Sequence, residues 1–217
     1  MDAPFIDIHT HRQPTPPVIG ILSVRLCGKE QKFPAQGMFS AGIHPWDAEL
    51  LDEKTLEAML ARLESAPGIA AIGEIGLDYS RAIDRARQHE LLCRQLAIAE
   101  RRRLPVVLHC VRTFGPLMDT LKKFSLSGVI FHSFTGSIQQ AQIAVVAGNY
   151  ISLGGRSLRS RATVEALPHI PHERIFLETD EDDQTIGQIY DQAAKHLGIS
   201  TKELVEIVYN NFKTLFP

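Results

Sequence analysis

Apolar residues in this chain fall into short runs separated by longer amphipathic stretches. Eight runs are rich in Val, Ile and Phe and bounded by Gly, Pro or polar residues: 4–9 (PFIDIH), 18–26 (VIGILSVRL), 38–43 (MFSAGI), 69–76 (IAAIGEIG), 105–110 (PVVLHC), 129–134 (VIFHSF), 150–155 (YISLGG) and 174–180 (RIFLETD). Strands of a parallel sheet are covered on both faces, so they read as near-continuous apolar runs, which is the pattern here. Between them the period changes to that of a helix. Residues 47–65 carry Leu50, Leu51, Leu56, Met59, Leu60 and Leu63, and residues 82–103 carry Leu91, Leu92, Leu96, Ile98 and Ala99 before a basic end, Arg101 to Arg103. Further helices are predicted over 113–125, 137–147, 159–167, 184–197 and 200–215.

Strands alternating with helices imply a parallel α/β sheet, and eight such units closing on themselves give a (β/α)8 TIM-type barrel. The stretches 10–17 and 27–37 are too short or too broken by Pro and Gly for full helices, so the first two crossovers are expected to be reduced to loops. The competing open doubly wound sheet lacks support, because no G-x-G-x-x-G follows a strand.

Length and composition narrow the picture further. A chain of 217 residues, 44% hydrophobic and without a Ser/Gly/Pro-rich linker, reads as one domain over 1–217. A formal charge of −2 argues against a bulk polyelectrolyte binder, so affinity for phosphate has to come from metals or a local patch. No apolar run approaches the ~20 residues of a membrane span, and the N-terminus lacks the pattern of a secretory signal. Three cysteines (Cys27, Cys93 and Cys110) without a C-x-x-C fit a reduced cytoplasmic protein, with no obligate protein partner evident.

The chemistry-bearing residues sit at strand ends. His9 and His11, two apart, would share one strand face roughly 7 Å apart. Asp7 has the same parity and is placed to orient a ligand histidine. Glu74 lies among apolar residues, where a carboxylate is costly unless paired or metal-bound. His109 closes PVVLH, His132 lies in VIFHSF and Asp180 closes IFLETD. Each has a bland reading as a hydrogen-bonded core residue or a helix cap. Their recurrence on separate strands, at ends that converge in parallel barrels, favours a metal site. His44, in AGIHPW, either contacts substrate or caps its strand. Arg112, Arg156 and Arg159 follow strands and are candidates for phosphate. Ser133 makes no G-x-S-x-G elbow, Cys110 alternates away from His109, and no Walker A sequence occurs.

These stretches resemble the TatD-type metal-dependent hydrolases, a family of deoxyribonucleases. The matching segments are FIDIHTH, AGIHPW, AIGEIGLDY, QHELLCRQLAIAERRRLPVVLHC, FHSFTG, GNYISLGG, FLETD and NNFKTLF, in the family's order from residue 4 to residue 216. The resemblance implies an amidohydrolase-like barrel. It also implies that His9, His11 and Asp180 hold one divalent ion, that His109 and His132 hold another and that Glu74 bridges the two. It implies phosphodiester hydrolysis in DNA, often from the 3′ end of single strands, with magnesium or another divalent ion. The imidazole-rich ligand set itself suits Zn, Mn, Ni or Fe better than Mg. Two departures stand out: the segment 10–37 is short, and Glu181-Asp182-Asp183 replaces a proline-containing loop, setting three acids where a phosphate backbone would approach.

The expected mechanism is therefore a two-metal phosphoesterase acting on DNA or another phosphodiester. Asp180 ligates and orients water, Glu74 fixes the ion spacing, and His44 and Arg112 bind phosphate. The alternative is an amidohydrolase or lactonase acting on a small molecule. Many relatives in that fold bridge their ions with a carboxylated lysine, and here no Lys ends a predicted strand.

Overall fold

The computed structural model describes residues 3–27 and 32–217. Its strands are β1 (Ile6–Thr10), β2 (Ile19–Arg25), β3 (Met38–Gly42), β4 (Ile69–Asp78), β5 (Val106–Val111), β6 (Val129–Phe131), β7 (Tyr150–Leu153) and β8 (Ile175–Leu177). Its helices are α1 (Glu53–Ser65), α2 (Arg85–Arg102), α3 (Phe114–Leu121), α4 (Ile138–Val146), α5 (Gly155–Arg159), α6 (Arg161–Ala166), α7 (Ile186–Leu197) and α8 (Thr201–Leu215). The strands follow one another in chain order in one sheet, and the pairs β1–β2, β3–β4, β4–β5, β6–β7 and β7–β8 are parallel. Asp180 N donates to His9 O at 2.9 Å and His11 N to Asp180 O at 3.4 Å, tying the chain after β8 back to β1. Together these features are the topology of the (β/α)8 class. Among the described residues no helix lies between β1 and β3, as expected from the Pro- and Gly-broken crossovers. Among the described residues, no helix is long and apolar enough to cross a membrane.

Contacts group the chain into two units, Met1–Leu22 with Ile130–Pro217, and Ser23–Val129. In the first unit, α7 and α8 cover β1 and β8. Tyr190 on α7 is buried, and its hydroxyl donates to Ile6 O (3.0 Å) and accepts from Ile6 N (3.2 Å). Asn211 on α8 donates to His172 O and Ile175 O, both at 2.8 Å, fixing the start of β8. The expected helix over 159–167 is instead a pair, α5 and α6. Ser160 stands between them with extended backbone, ending one helix and capping the next through Thr163 N.

In the second unit, β4 is buried along nearly its whole length and runs two residues past its expected end, to Asp78. Gly73 and Gly76 let β5 approach closely. A Cβ on Gly73 would meet Val107 Cβ at 2.6 Å, and one on Gly76 (φ 150°) would meet His109 O at 2.0 Å. Helix α1 begins at Asp52, whose carboxylate accepts from Thr55 N, and buries Leu56, Met59, Leu60 and Leu63. The expected start at residue 47 is therefore displaced to 53, because Pro45–Asp47 forms a separate 3-10 turn. Helix α2 buries its apolar stripe and two amides with it, Gln88 and Gln95. Gln88 accepts from Asp78 N at 2.8 Å and donates to Asp78 O at 3.1 Å; Gln95 accepts from Ile43 N at 2.7 Å and donates to Ile43 O at 3.0 Å. Two side chains seven residues apart on one helix thus anchor the end of β4 and the residue before His44.

Candidate active site

In the first unit three ligand-type side chains converge after β1 and β8. His9 is fully buried on β1, while His11 lies past its end with a 30% exposed side chain. Asp180 has a left-handed backbone (φ 53°), which turns its carboxylate toward them: Oδ1 lies 3.7 Å from His9 Nε2 and 3.4 Å from His11 Nε2. The three groups surround a common point, with Asp180 Oδ1 facing both imidazoles. Their donor atoms all lie within 4.8 Å of each other. Two imidazoles and a carboxylate at that spacing suit a divalent cation.

Beside this set, the His132 and His9 rings lie 4.4 Å apart. His132 follows β6 instead of lying within it, because Ser133 adopts φ 46° and breaks the strand. Its Nδ1 lies 3.4 Å from Oε1 of Glu178, a wholly buried carboxylate that also accepts from Ser133 N at 2.6 Å. Burial raises the Glu178 carboxyl above its ordinary range, and the contact with His132 works against that rise. Glu178, Asp180 and His132 form a second group with donor atoms within 4.8 Å.

Asp7, on the same strand as His9, is engaged from the segment after β8. Its carboxylate accepts from Thr179 N (3.0 Å) and from Thr179 Oγ1 (2.7 Å), bracing β1 against the segment after β8. Burial pushes this carboxyl up to about 7 against those hydrogen bonds. The acid run is largely answered by arginines: Arg12 pairs with Asp183 at 2.8 Å and Arg159 with Asp182 at 2.9 Å. A cavity of about 220 Å³ opens beside Asp180, lined in part by Ser133, Gly155, Arg156 and Glu181.

In the second unit Glu74, His44 and His109 form another group with donor atoms within 4.8 Å. Glu74 lies in the middle of β4 instead of at its end, and its Oε1 is 2.7 Å from His109 Nδ1 and 3.2 Å from His44 Nε2. Here the two imidazoles play different parts. His109 Nε2 faces Asp78 Oδ2 at 3.1 Å, so a proton held there makes Nδ1, the atom beside Glu74, the unprotonated nitrogen that could ligate. His44 Nδ1 accepts from Trp46 N at 3.2 Å, which places the proton of the neutral ring on Nε2, as a donor toward Glu74. Burial lowers the His44 pKa, with Glu74 working against it, which favours the neutral ring. His44 therefore caps its turn, as one expectation had it, while presenting an N–H to the site. Glu74 and His109 carry the donor atoms that fit an ion.

Asp78 was not anticipated. It accepts from Trp46 Nε1 (2.8 Å), Ser80 N (2.8 Å) and Ser80 Oγ (2.5 Å) as well as facing His109. Burial opposes its ionisation, but these bonds outweigh it and hold the carboxyl down at about 2. Arg112 is exposed just past β5, with φ 58°. Cys110 is half-buried and accepts from the Thr113 hydroxyl at 3.7 Å.

Comparison with known proteins agrees with this reading. The profile of the family described as TatD related DNase matches residues 22–217; residues 1–21, with His9 and His11, precede the matched range. The uncharacterized metal-dependent hydrolase YjjV of Escherichia coli K12 is 34% identical over 201 residues, covering 83% of this chain and 77% of YjjV. The 3′-5′ ssDNA/RNA exonuclease TatD of the same organism is 35% identical over 147 residues, which is 65% of this chain but only 56% of that relative. Among solved structures, YjjV superposes with a TM-score of 0.83 at 28% identity, covering 100% of this chain and 99% of that one. A TatD family hydrolase from Entamoeba histolytica, at 20% identity and a TM-score of 0.81, shares the fold. With most of its length matched by the family profile, the chain belongs to the TatD-related DNases and is a metal-dependent hydrolase.

Proposed function

We propose that this chain hydrolyses phosphodiester bonds of nucleic acid, acting as a 3′-5′ exonuclease on single-stranded DNA with two divalent ions. The convergence of His9, His11 and Asp180 on one point is the observation that carries the reading. The residues that would hold the ions are His9, His11, Glu74, His109, His132 and Asp180, with Glu74 the residue that would serve both. Bound there, divalent ions supply Lewis-acid activation of water and neutralise charge on a phosphoryl group. The chain's own groups do the rest. Asp180 orients the attacking water and takes its proton at a carboxylate oxygen. His44, whose Nδ1 accepts from Trp46 N, would turn its Nε2–H from Glu74 to a phosphoryl oxygen once Glu74 is engaged by an ion. Asp78 keeps His109 in the tautomer that leaves Nδ1 for ligation. Mg, Mn and Zn all suit the reading, as do Ni and Fe.

The pairing of Asp182 and Asp183 with arginines supports a phosphate-bearing substrate, because it removes much of the repulsion that the acid run would exert. The names of the TatD relatives point the same way. The test is a 5′-labelled single-stranded oligonucleotide incubated with Mn²⁺, with Mg²⁺ and with chelator, beside a duplex and a carboxylic ester. A metal-dependent ladder of products shortened from the 3′ end is expected. Turnover of the ester alone would remove the nuclease reading in favour of an amidohydrolase or lactonase.

A further inference from the structure

Two guanidinium groups stack on the indole of Trp46, and they differ in one respect. Arg25 lies 5.6 Å from the ring centroid and is saturated by Asp47, which accepts from its Nε at 2.8 Å and its Nη2 at 2.7 Å. Arg81 lies closer, at 4.0 Å, and has no carboxylate partner among the described residues. Its acidic neighbour in sequence, Asp84, is committed to capping α2 through Arg87 N. Arg81 is therefore a positioned cation whose hydrogen-bonding edge is not used among the described residues.

Its support leads straight to the candidate site. The Trp46 indole N–H donates to Asp78 at 2.8 Å, Asp78 faces His109 at 3.1 Å, and the His44 ring lies 4.6 Å from the indole. A guanidinium held on an aromatic face loses little freedom on binding, and its planar fork matches two oxygens of a phosphate. We infer that Arg81, braced on Trp46, is a phosphate-binding residue that receives a phosphate group of the substrate beside the His44–Glu74–His109 group. This rests on the phosphodiester reading above and specifies the residue that recognises the anion.

Trp46 is the only tryptophan in the chain, so its emission reports directly on the stacked pair. Inorganic phosphate is titrated into the Mg²⁺-loaded full-length protein while Trp46 emission is followed, with potassium chloride of equal ionic strength as control. The wild type should give a saturable change that chloride does not. Arg81→Gln should raise the apparent Kd about tenfold, in keeping with the loss of a charge-assisted bidentate contact. Arg81→Lys should fall between, and Arg85→Gln, which removes an arginine stacked on Tyr79, should leave Kd unchanged. An equal Kd for wild type and Arg81→Gln, an equal loss in Arg85→Gln, or no saturable response in the wild type would overturn the assignment. Hydrolysis of bis-p-nitrophenyl phosphate, measured in parallel, scores the parent reading separately. No turnover by the wild type removes the phosphodiesterase, whereas turnover with the same KM in Arg81→Gln removes only the role of Arg81.

Discussion

Gln95 meets both backbone polar groups of Ile43, accepting from its N–H at 2.7 Å and donating to its carbonyl at 3.0 Å, in a wholly buried setting. No strand neighbour is needed to satisfy that peptide, so the chain is free to turn at once into the 3-10 segment that His44 caps. A helix side chain thus sets where a candidate site residue begins. Gln95→Leu keeps similar volume but leaves two buried backbone groups unsatisfied, which costs about 1–3 kcal/mol each before relaxation. Urea denaturation should show a loss of roughly 2–4 kcal/mol. A loss below about 0.5 kcal/mol, within the ordinary range of a surface change, would mean that water replaces the amide without cost.

The Asp78–His109 contact makes a different kind of prediction. Asp78→Asn retains shape and removes the charge that holds the His109 proton at Nε2. Metal affinity should fall about 10–100-fold, the usual effect of losing a partner behind a ligating imidazole. Titration calorimetry with Mn²⁺ measures this without recourse to activity. Unchanged affinity in a folded variant would show that His109 finds its tautomer without Asp78.

Tyr190 tests the fold apart from the chemistry. Its hydroxyl both donates to and accepts from Ile6, at the start of the strand that carries His9. Tyr190→Phe leaves the ring packing in place and strands a buried N–H and C=O, so stability should drop by about 1–3 kcal/mol. Thermal and urea melts read the loss, while metal binding at low temperature should survive in the folded fraction. A variant as stable as the wild type would indicate that Ile6 has alternative partners.

Much of this arrangement was legible in the sequence, for a physical reason. Strands buried on both faces have to be apolar throughout, so all eight runs stand out, and among the described residues the lack of a helix between β1 and β3 agrees with crossovers broken by Pro and Gly. The errors lie at strand ends. β6 and β8 stop three residues before their expected ends, because Ser133 and Asp180 leave the extended region for positive φ. Such strain is carried where surrounding contacts impose it, and it is invisible in a hydropathy pattern. Asp78, Glu178, Gln88 and Gln95 were missed because each is a polar residue in an apolar environment whose partner is far away in sequence or is backbone. A signal was present for the glutamines: two uncharged polar residues seven apart on the apolar stripe of α2, where only satisfied amides are tolerated. Parity along β1 places Asp7 but does not show that Thr179 bonds its carboxylate.

The Arg12–Asp183 and Arg159–Asp182 pairs lead to a salt-dependent prediction. Both involve exposed side chains, so each is worth little to stability. Their effect should appear on substrate approach. Arg159→Gln uncovers Asp182 and should raise KM for an oligonucleotide a few-fold at low ionic strength, with the difference closing as salt screens it. Kinetics at two salt concentrations decide the matter, and a KM that ignores both the substitution and the salt would show that the acid run does not face the substrate.

The central claim is that separate strands of this chain supply a divalent-metal centre. The direct measurement is the number of Mn²⁺ ions retained per chain after equilibrium dialysis, determined by elemental analysis for the wild type, Asp180→Ala and Glu74→Gln. About two ions are expected in the wild type, as for a two-metal hydrolase, with a clear loss in each variant while circular dichroism stays unchanged. A wild-type protein that retains no metal, or variants that retain the full wild-type count, would contradict the account.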